Sequence, residues 1–154
     1  MPRDLPLPSD DDLRALAQGF LELEGPLLPI LHAIQDTFGV VPDNAARVLG
    51  DVLNVGRAEV HGVLSFYHDF RKAPAGTHVV RICRAEACQS MGGVALAEAV
   101  LAHFRTGWHG TTEDGQVTVE PVFCLGLCAC APAAMVDDRL IGRATVEKIA
   151  EGVA

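Results

Sequence analysis

The sequence predicts an α/β chain in which an N-terminal helical bundle is followed by a four-stranded sheet with flanking helices. Two patterns along the 154 residues carry this prediction. Up to Phe70, apolar residues recur at intervals of three and four, the spacing of one helix face. From His78 onward, short β-branched runs are bounded by glycine, proline and aspartate. The pattern changes within residues 71–77, so we predict two domains, 1–73 and 74–154.

Four helices are expected in the first domain, each with a start or stop signal. Ser9 or Asp10 can cap the first, because a short polar side chain accepts a hydrogen bond from the first helical turn. Gly39 is expected to end the second, since glycine readily adopts the left-handed backbone found after helices. Asn54 and the residues after it interrupt the third. The apolar positions of the first three expected helices lie within 13–20, 27–38 and 45–52, and the fourth helix is expected at 57–66.

The second domain is expected to contain strands and helices in the order β-α-β-β-α. The first strand is HVVRIC, and Asp114-Gly115 is a turn signal before the second. Two further strands form a predicted hairpin through residues 137–139. The expected strands are 78–83, 116–122, 133–136 and 140–142. One expected helix starts near Met91 and carries its apolar residues within 94–104, and the other is 144–152.

Composition argues against two classes of partner. The net charge is −8 and lysine and arginine are scattered, so we expect no nucleic-acid binding. The longest weakly polar run, 122–136, is too short and too often interrupted to span a bilayer, so we expect no direct membrane insertion. The start MPRDLPLPSDDDL has no apolar core of a signal peptide, which predicts a cytoplasmic protein.

All five cysteines lie after residue 80, at positions 83, 88, 124, 128 and 130. A chain of this length can bury a core without disulfides, so this clustering favours one metal site in a reducing compartment. Cys83 and Cys88 form a C-x4-C pair, and Cys124 and Cys128 form a C-x3-C pair. Each pair follows a predicted strand, where a rigid strand end and a loop can present two thiolates together. We predict that these four cysteines are the metal ligands.

A 2Fe-2S cluster fits this ligand set. Four thiolates, two ferric ions and two sulfides carry a charge of about −2, so backbone dipoles must help to stabilise the site. The helix expected to start near Met91 can direct its N-terminal amides at the cluster, and Gly126 lets backbone approach a sulfide.

Other sites remain open on spacing alone. A structural zinc ion also takes four cysteines, although its pairs are usually closer to C-x2-C. A thiol-disulfide enzyme would use a C-x-x-C motif, which is absent. A Rieske cluster needs two histidines, and none of the six histidines lies beside a cysteine pair. We therefore interpret the histidines as ordinary surface or core residues.

The cysteine pattern resembles that of a known family. The two pairs, with Ala131-Pro132 after the second, are similar to the thioredoxin-like 2Fe-2S ferredoxins, which include the 24 kDa subunit of respiratory NADH dehydrogenase. Segments 39–42 (GVVP) and 60–70 (VHGVLSFYHDF) resemble the helical N-terminal region of that family, so the resemblance begins near residue 13. Segment 83–92 is most similar to the gamma subunit of NAD-dependent molybdenum formate dehydrogenases.

The resemblance implies a thioredoxin-like sheet and a non-catalytic electron-transfer subunit with one 2Fe-2S cluster on the four cysteines. It implies a partner subunit with FMN and NAD and a catalytic subunit with molybdopterin, as in cytosolic NAD-dependent formate dehydrogenase. This chain has no glycine-rich dinucleotide motif after a strand, so those cofactors are expected only on partners. The alternatives are a subunit of respiratory NADH:quinone oxidoreductase or NAD-reducing hydrogenase, or a zinc-binding docking subunit.

Two smaller expectations concern individual side chains. Cys130 is expected to be a thiol near the cluster that does not bind iron. Phe66, Tyr67 and Phe70 are the residues expected to contact a partner subunit, with burial inside the helical bundle as the alternative.

Overall fold

The computed structural model describes residues 7–154 and separates them into two compact units. One unit ends at Pro74, and the other is Ala75–Ala154. The first six residues, which carry part of the signal-peptide argument, lie outside the described part. Within residues 7–154, no helix is long and apolar enough to cross a membrane.

The first unit contains four helices among its described residues, as the sequence predicts. Ser9 caps the first helix through a reciprocal capping box with Asp12. Gly39 and Asn54 end the second and third helices in the left-handed region, with φ of 78° and 52°. The helices are α1 (Asp10–Gln18), α2 (Leu27–Phe38), α3 (Ala45–Leu53) and α4 (Arg57–Phe66).

One face of each helix forms the core of this unit. The spacing of apolar residues by three and four places them on one side of each helix, where they are removed from water. Asp10 at the start of α1 accepts hydrogen bonds from Asn44 and Arg47, which joins α1 to the start of α3. The largest fully buried side chains are Leu13, Ile30, Leu31, Ile34, Val48, Leu49 and Val60.

The second unit contains a mixed five-stranded sheet among the described residues, in the order β2-β3-β1-β4-β5. Strands β1 and β3 are parallel, and the other pairs are antiparallel. The strands are β1 (His78–Cys83), β2 (Gly110–Thr111), β3 (Val117–Val122), β4 (Ala133–Val136) and β5 (Arg139–Gly142). The predicted α/β fold class is confirmed.

The sheet has one strand more than the four predicted. Strand β2 is two residues long, so it has no alternation for a sequence pattern to detect. It forms because it pairs with β3, where the hydroxyls of Thr111 and Thr118 lie 2.7 Å apart. The hairpin is also tighter than predicted, because Asp137 adopts φ of 53° and Arg139 already belongs to β5.

Helices α6 (Val94–Phe104) and α7 (Val146–Gly152) pack on the sheet. The expected helix start near Met91 is wrong by three residues: Met91 and Gly92 have non-helical backbone, with φ of −100° and 89°. A three-residue helix, α5 (Glu86–Cys88), and a π-turn precede α6 instead. Thr145 caps α7, so that helix begins at Val146.

Candidate metal centre

The two cysteine pairs meet because β1 and β3 are parallel neighbours. Cys83 is the last residue of β1 and pairs in register with Val122, the last residue of β3. The carboxyl ends of parallel strands lie at the same edge of a sheet, so the loops after them are adjacent. Cys88 follows in α5, and Cys124 lies two residues after β3. The structure thus brings both predicted pairs to one edge.

Within each pair the two thiols affect each other's ionisation. The Cys83 and Cys88 thiols interact with each other, as do those of Cys124 and Cys128. Charge on Cys128 also acts on Cys88, and charge on Cys83 acts on Cys128, so all four sulfurs share one electrostatic site. All five cysteines are free thiols.

In each pair, one cysteine raises the pKa of the other. Burial and contact with Cys83 raise the pKa of Cys88. The charge and thiol of Cys124 raise the pKa of Cys128. Burial acts to raise the pKa of Cys83, but hydrogen bonds, first from the Ala85 backbone and then from the Cys88 thiol, lower it overall. Forming the second thiolate of each pair costs free energy because it lies beside a like charge. Four thiolates at this site therefore require a strongly positive bound group.

Backbone N–H groups provide part of that compensation. Ala85 and Leu125 donate toward the Cys83 sulfur, and Ala133 donates toward Cys88. Gly126 donates to Cys124 Sγ at 3.4 Å. Donation of this kind stabilises negative sulfur in iron-sulfur sites. No sequence signal identifies these donors, because every residue except proline carries the same N–H group.

The loop that carries Cys124 and Cys128 has a strained backbone. Cys124 has φ of 99°, which side-chain-bearing residues rarely adopt, and Gly126 has φ of 75°. Such strain is held only where the surrounding structure requires it, and it is common at functional sites. The end of β1 thus positions the first pair of cysteines, and a strained loop positions the second.

The site is buried on one side and open on the other. Cys83 and Cys88 are buried, whereas Cys124 and Cys128 are exposed. Phe123, next to Cys124, has 76% of its surface exposed. A group held here would have one edge in the core and one edge close to the surface.

The ligand set matches a 2Fe-2S cluster in its number of cysteines and in their division into two pairs. A tetrahedral zinc site needs four ligands around one ion. A 2Fe-2S cluster instead distributes four cysteines over two irons. Two pairs of interacting thiols, with N–H groups directed at sulfur, fit that group.

The remaining residues singled out by sequence take other positions. Cys130 packs against Gly142 of β5. His78 pairs with Asp137, with Nδ1 2.8 Å from Oδ2. Of the three aromatic residues expected to contact a partner, Phe66 and Tyr67 are exposed and Phe70 is buried in the helical core.

Comparison with known proteins gives a consistent result. The family described as "Thioredoxin-like [2Fe-2S] ferredoxin" matches residues 14–154. A NADH-quinone oxidoreductase subunit of Pseudomonas aeruginosa is 35% identical over 121 residues, which cover 79% of this chain and 73% of that protein. The HndA subunit of the NADP-reducing hydrogenase of Solidesulfovibrio fructosivorans is 30% identical over 141 residues, which cover 92% of this chain and 82% of that protein.

A solved structure shares the fold. The crystal structure of NAD+-reducing [NiFe]-hydrogenase in the H2-reduced state superposes with a TM-score of 0.63 at 24% identity. The match covers 82% of this chain but only 21% of that one, so this chain corresponds to about a fifth of the length of the hydrogenase chain.

Proposed function

Because the chain belongs to the thioredoxin-like 2Fe-2S ferredoxin family, we propose that it holds one 2Fe-2S cluster on Cys83, Cys88, Cys124 and Cys128. In this proposal it is a non-catalytic electron-transfer subunit of an NAD-linked multisubunit oxidoreductase. The bound cluster supplies reversible one-electron storage. The residues of the chain hold the sulfurs, exclude water on one side and stabilise negative charge.

The observation that carries the proposal is the pairing of the thiols. Cys83 and Cys88 interact as one pair and Cys124 and Cys128 as another at the same edge of the sheet, which offers two ligands for each of two irons. The raised pKa values of Cys88 and Cys128 add support, because a cation bound at the site would favour the thiolate form of both residues. NAD and FMN belong to partner subunits in this proposal.

The parent complex is proposed in the same way. Relatives are named as subunits of NADH-quinone oxidoreductase and of NADP-reducing hydrogenase, which supports an assembly linked to a nicotinamide cofactor. The flavin-containing partner is what the family resemblance implies. The resemblance of segment 83–92 favours a cytoplasmic, NAD-dependent formate dehydrogenase with a molybdopterin subunit. The division of the chain at Pro74 supports a helical domain at 1–73 and a cluster domain at 74–154.

Iron and acid-labile sulfide content of the purified chain tests the cluster, together with an EPR spectrum after dithionite reduction. We expect two irons, two sulfides and a spin-half signal. Zinc without sulfide in protein purified without air would instead identify a structural zinc subunit.

Serine substitutions then test the ligand assignment. Cys83→Ser, Cys88→Ser, Cys124→Ser and Cys128→Ser should each disturb or abolish the cluster, while Cys130→Ser serves as the matched control and keeps two irons. Loss of iron from Cys130→Ser would mean that the ligand set is wrong. Formate-, NADH- and hydrogen-dependent reduction of the cluster in the native complex then distinguishes the parent enzymes.

A further inference from the structure

A cavity of about 340 Å³ lies in the sheet unit, next to the cysteine site. Its lining residues are Arg84, Gln89, Trp108, His109, Pro121 and Phe123. Three of them are chain neighbours of candidate ligands: Arg84 follows Cys83, Gln89 follows Cys88, and Phe123 precedes Cys124. A group bound in this cavity would therefore lie against the segments that position three of the four sulfurs.

Arg84 is the residue in the cavity whose hydrogen bonding is incomplete. Its Nε is buried and has no hydrogen-bond partner within the described part of the chain. Its guanidinium carbon lies 5.1 Å from the centre of the Trp108 ring, a cation-π contact that holds the side chain in place. This contact fixes the positive charge of Arg84 at the cavity, where it can attract an anionic ligand.

The charges of the lining residues favour a negatively charged ligand. The six lining residues include one permanent cation and a histidine, and none of them is a carboxylate. This composition contrasts with the net charge of −8 on the whole chain. A guanidinium binds planar, negatively charged oxygen groups well, and a carboxylate is the most common of these in proteins.

The surface around the cavity indicates a protein partner. Phe123 exposes 76% of its surface beside the partly buried Trp108 and Arg84. Aromatic residues and arginine are enriched where protein interfaces carry most of their binding energy. The cavity is also at the small end of the range of about 300–1,000 Å³ that is usual for small-molecule sites.

We infer that this cavity is a docking site for an aspartate or glutamate side chain of a partner subunit, which binds Arg84 and is flanked by Phe123. The inference rests on the proposed function, because it takes the partner to be a subunit of the same NAD-linked complex. It adds a specific contact, because the partner docks on residues adjacent to three of the four candidate ligands.

Zero-length cross-linking of the native complex tests this contact. A tagged chain with Arg84→Lys is expressed in its own cells, and the purified complex is treated with a carbodiimide, which couples amines to carboxylates. We expect a cross-linked peptide that joins position 84 to one aspartate or glutamate of another subunit. The wild-type complex should lack it, because a guanidinium does not react. Arg139→Lys, an exposed position on β5, is the matched control and should not give that product.

A charge-removing pair measures the contribution of the contact. Arg84→Gln should weaken association of the partner subunit at least about tenfold, whereas Arg139→Gln should leave it unchanged. Iron, sulfide and the EPR signal are measured in each variant. The inference would be overturned if the complex assembles with an intact cluster, no cross-link forms, and Arg84→Gln does not weaken association of the partner subunit. That result would leave the proposed function standing.

Two further results distinguish a small-anion site from a failure of the proposed function. If acetate or phosphate raises the melting temperature of the isolated wild-type chain but not of Arg84→Gln, and no cross-link forms, the cavity is a small-anion site and the inference is wrong. A wild-type chain without iron and sulfide would refute the proposed function itself, independently of the cross-link.

Discussion

Gly93 and Gly142 are two residues at which the structure leaves no room for a side chain beside a cysteine. A Cβ atom at Gly93 would lie 2.5 Å from the carbonyl oxygen of Cys88. A Cβ atom at Gly142 would lie 2.8 Å from the Cβ of Cys130. Gly93 thus makes room for Cys88, a candidate iron ligand, and Gly142 makes room for Cys130, which is not proposed to bind iron.

Alanine at these two positions tests the roles of the neighbouring cysteines. Gly93→Ala should displace Cys88 and lower the iron content, whereas Gly142→Ala should displace Cys130 and leave two irons bound. Both should lower the free energy of unfolding by about 1–3 kcal/mol, because each overpacks a tight contact. Iron analysis and denaturant titration measure these effects. Equal iron loss in both variants would contradict the assignment of Cys88 and Cys130 to different roles.

Asp137 holds the β4–β5 hairpin against the start of β1. Its Oδ1 accepts the Val79 N–H at 2.9 Å, and its Oδ2 lies 2.8 Å from His78 Nδ1. Partial burial acts to raise the pKa of Asp137, but hydrogen bonds from His78 and Val79 outweigh it and lower the pKa overall. The ionised carboxylate is therefore the form that stabilises the fold.

Removing this charge should change the pH dependence of stability. Asp137→Asn keeps an acceptor for Val79 and tolerates the left-handed φ of 53°. We expect a loss of about 0.5–1 kcal/mol near neutral pH, a small value because the side chain is partly exposed. A lowered pKa contributes stability that is complete above the unfolded value of about 3.9 and is lost as the pH falls through the folded value.

Urea titrations from pH 3 to pH 7 measure this difference, with Asp138→Asn at the exposed neighbouring position as the control. The wild type and Asp137→Asn should converge at the acid end. A constant difference across the whole range would show that the carboxylate charge makes no contribution.

At the scale of elements, helix ends follow local chemistry closely. Gly39 ends α2 with φ of 78°, and a Cβ atom there would meet nothing within 4 Å. Gly62 lies within α4, and a Cβ atom there would also meet nothing within 4 Å. The two positions differ in backbone conformation but not in the space available to a methyl group.

Alanine should therefore have opposite effects at these two glycines. Gly39→Ala should cost about 1 kcal/mol, because a side chain is disfavoured in the left-handed region. Gly62→Ala should stabilise the chain by about 0.5–1 kcal/mol, since alanine loses less backbone entropy in a helix. Thermal unfolding of both variants measures the signs. A destabilised Gly62→Ala would show that this exposed position contacts something outside the described chain.

Elements also differ in how far the sequence predicts them. The bounds of α4 and β1 agree with the structure, because each has an uninterrupted pattern and clear neighbours. Strand β2 was missed because two residues carry no period. The start of α6 was misplaced because the backbone at Met91 and Gly92, which lie between a ligand segment and a helix, is not helical.

At the scale of the whole molecule, each unit has its own hydrophobic core. The core of the helical unit includes Ile30, Ile34 and Leu49, and that of the sheet unit includes Val80, Ile82 and Val119. Cys83 and Cys88 belong to a smaller apolar cluster with Ala131 and Ala133. Cluster binding is thus expected to act on the loops around the cysteines rather than on the helical core.

Removal of iron should have a local effect. After chelation under reducing conditions, amide hydrogen exchange should increase in residues 84–92 and 123–131, where thiolate repulsion is no longer compensated. Amides of α2 should remain protected, because their core contains no proposed ligand. Mass spectrometry of loaded and iron-free chains measures this difference. Equal loss of protection in α2 would show that the cluster supports the whole chain.

The sequence alone determined the helix and strand periods, the helix ends at Ser9, Gly39 and Asn54 and the pairing of cysteines by spacing, because these depend on residues within a few positions of one another. Only the tertiary structure decided the rest. The parallel pairing of β1 with β3 brings Cys83 and Cys88 beside Cys124 and Cys128, across a gap of 36 to 45 residues in the chain. The N–H groups directed at sulfur and the cavity of Arg84 likewise arise from chain segments distant in sequence, and a contact between distant segments leaves no local pattern to read.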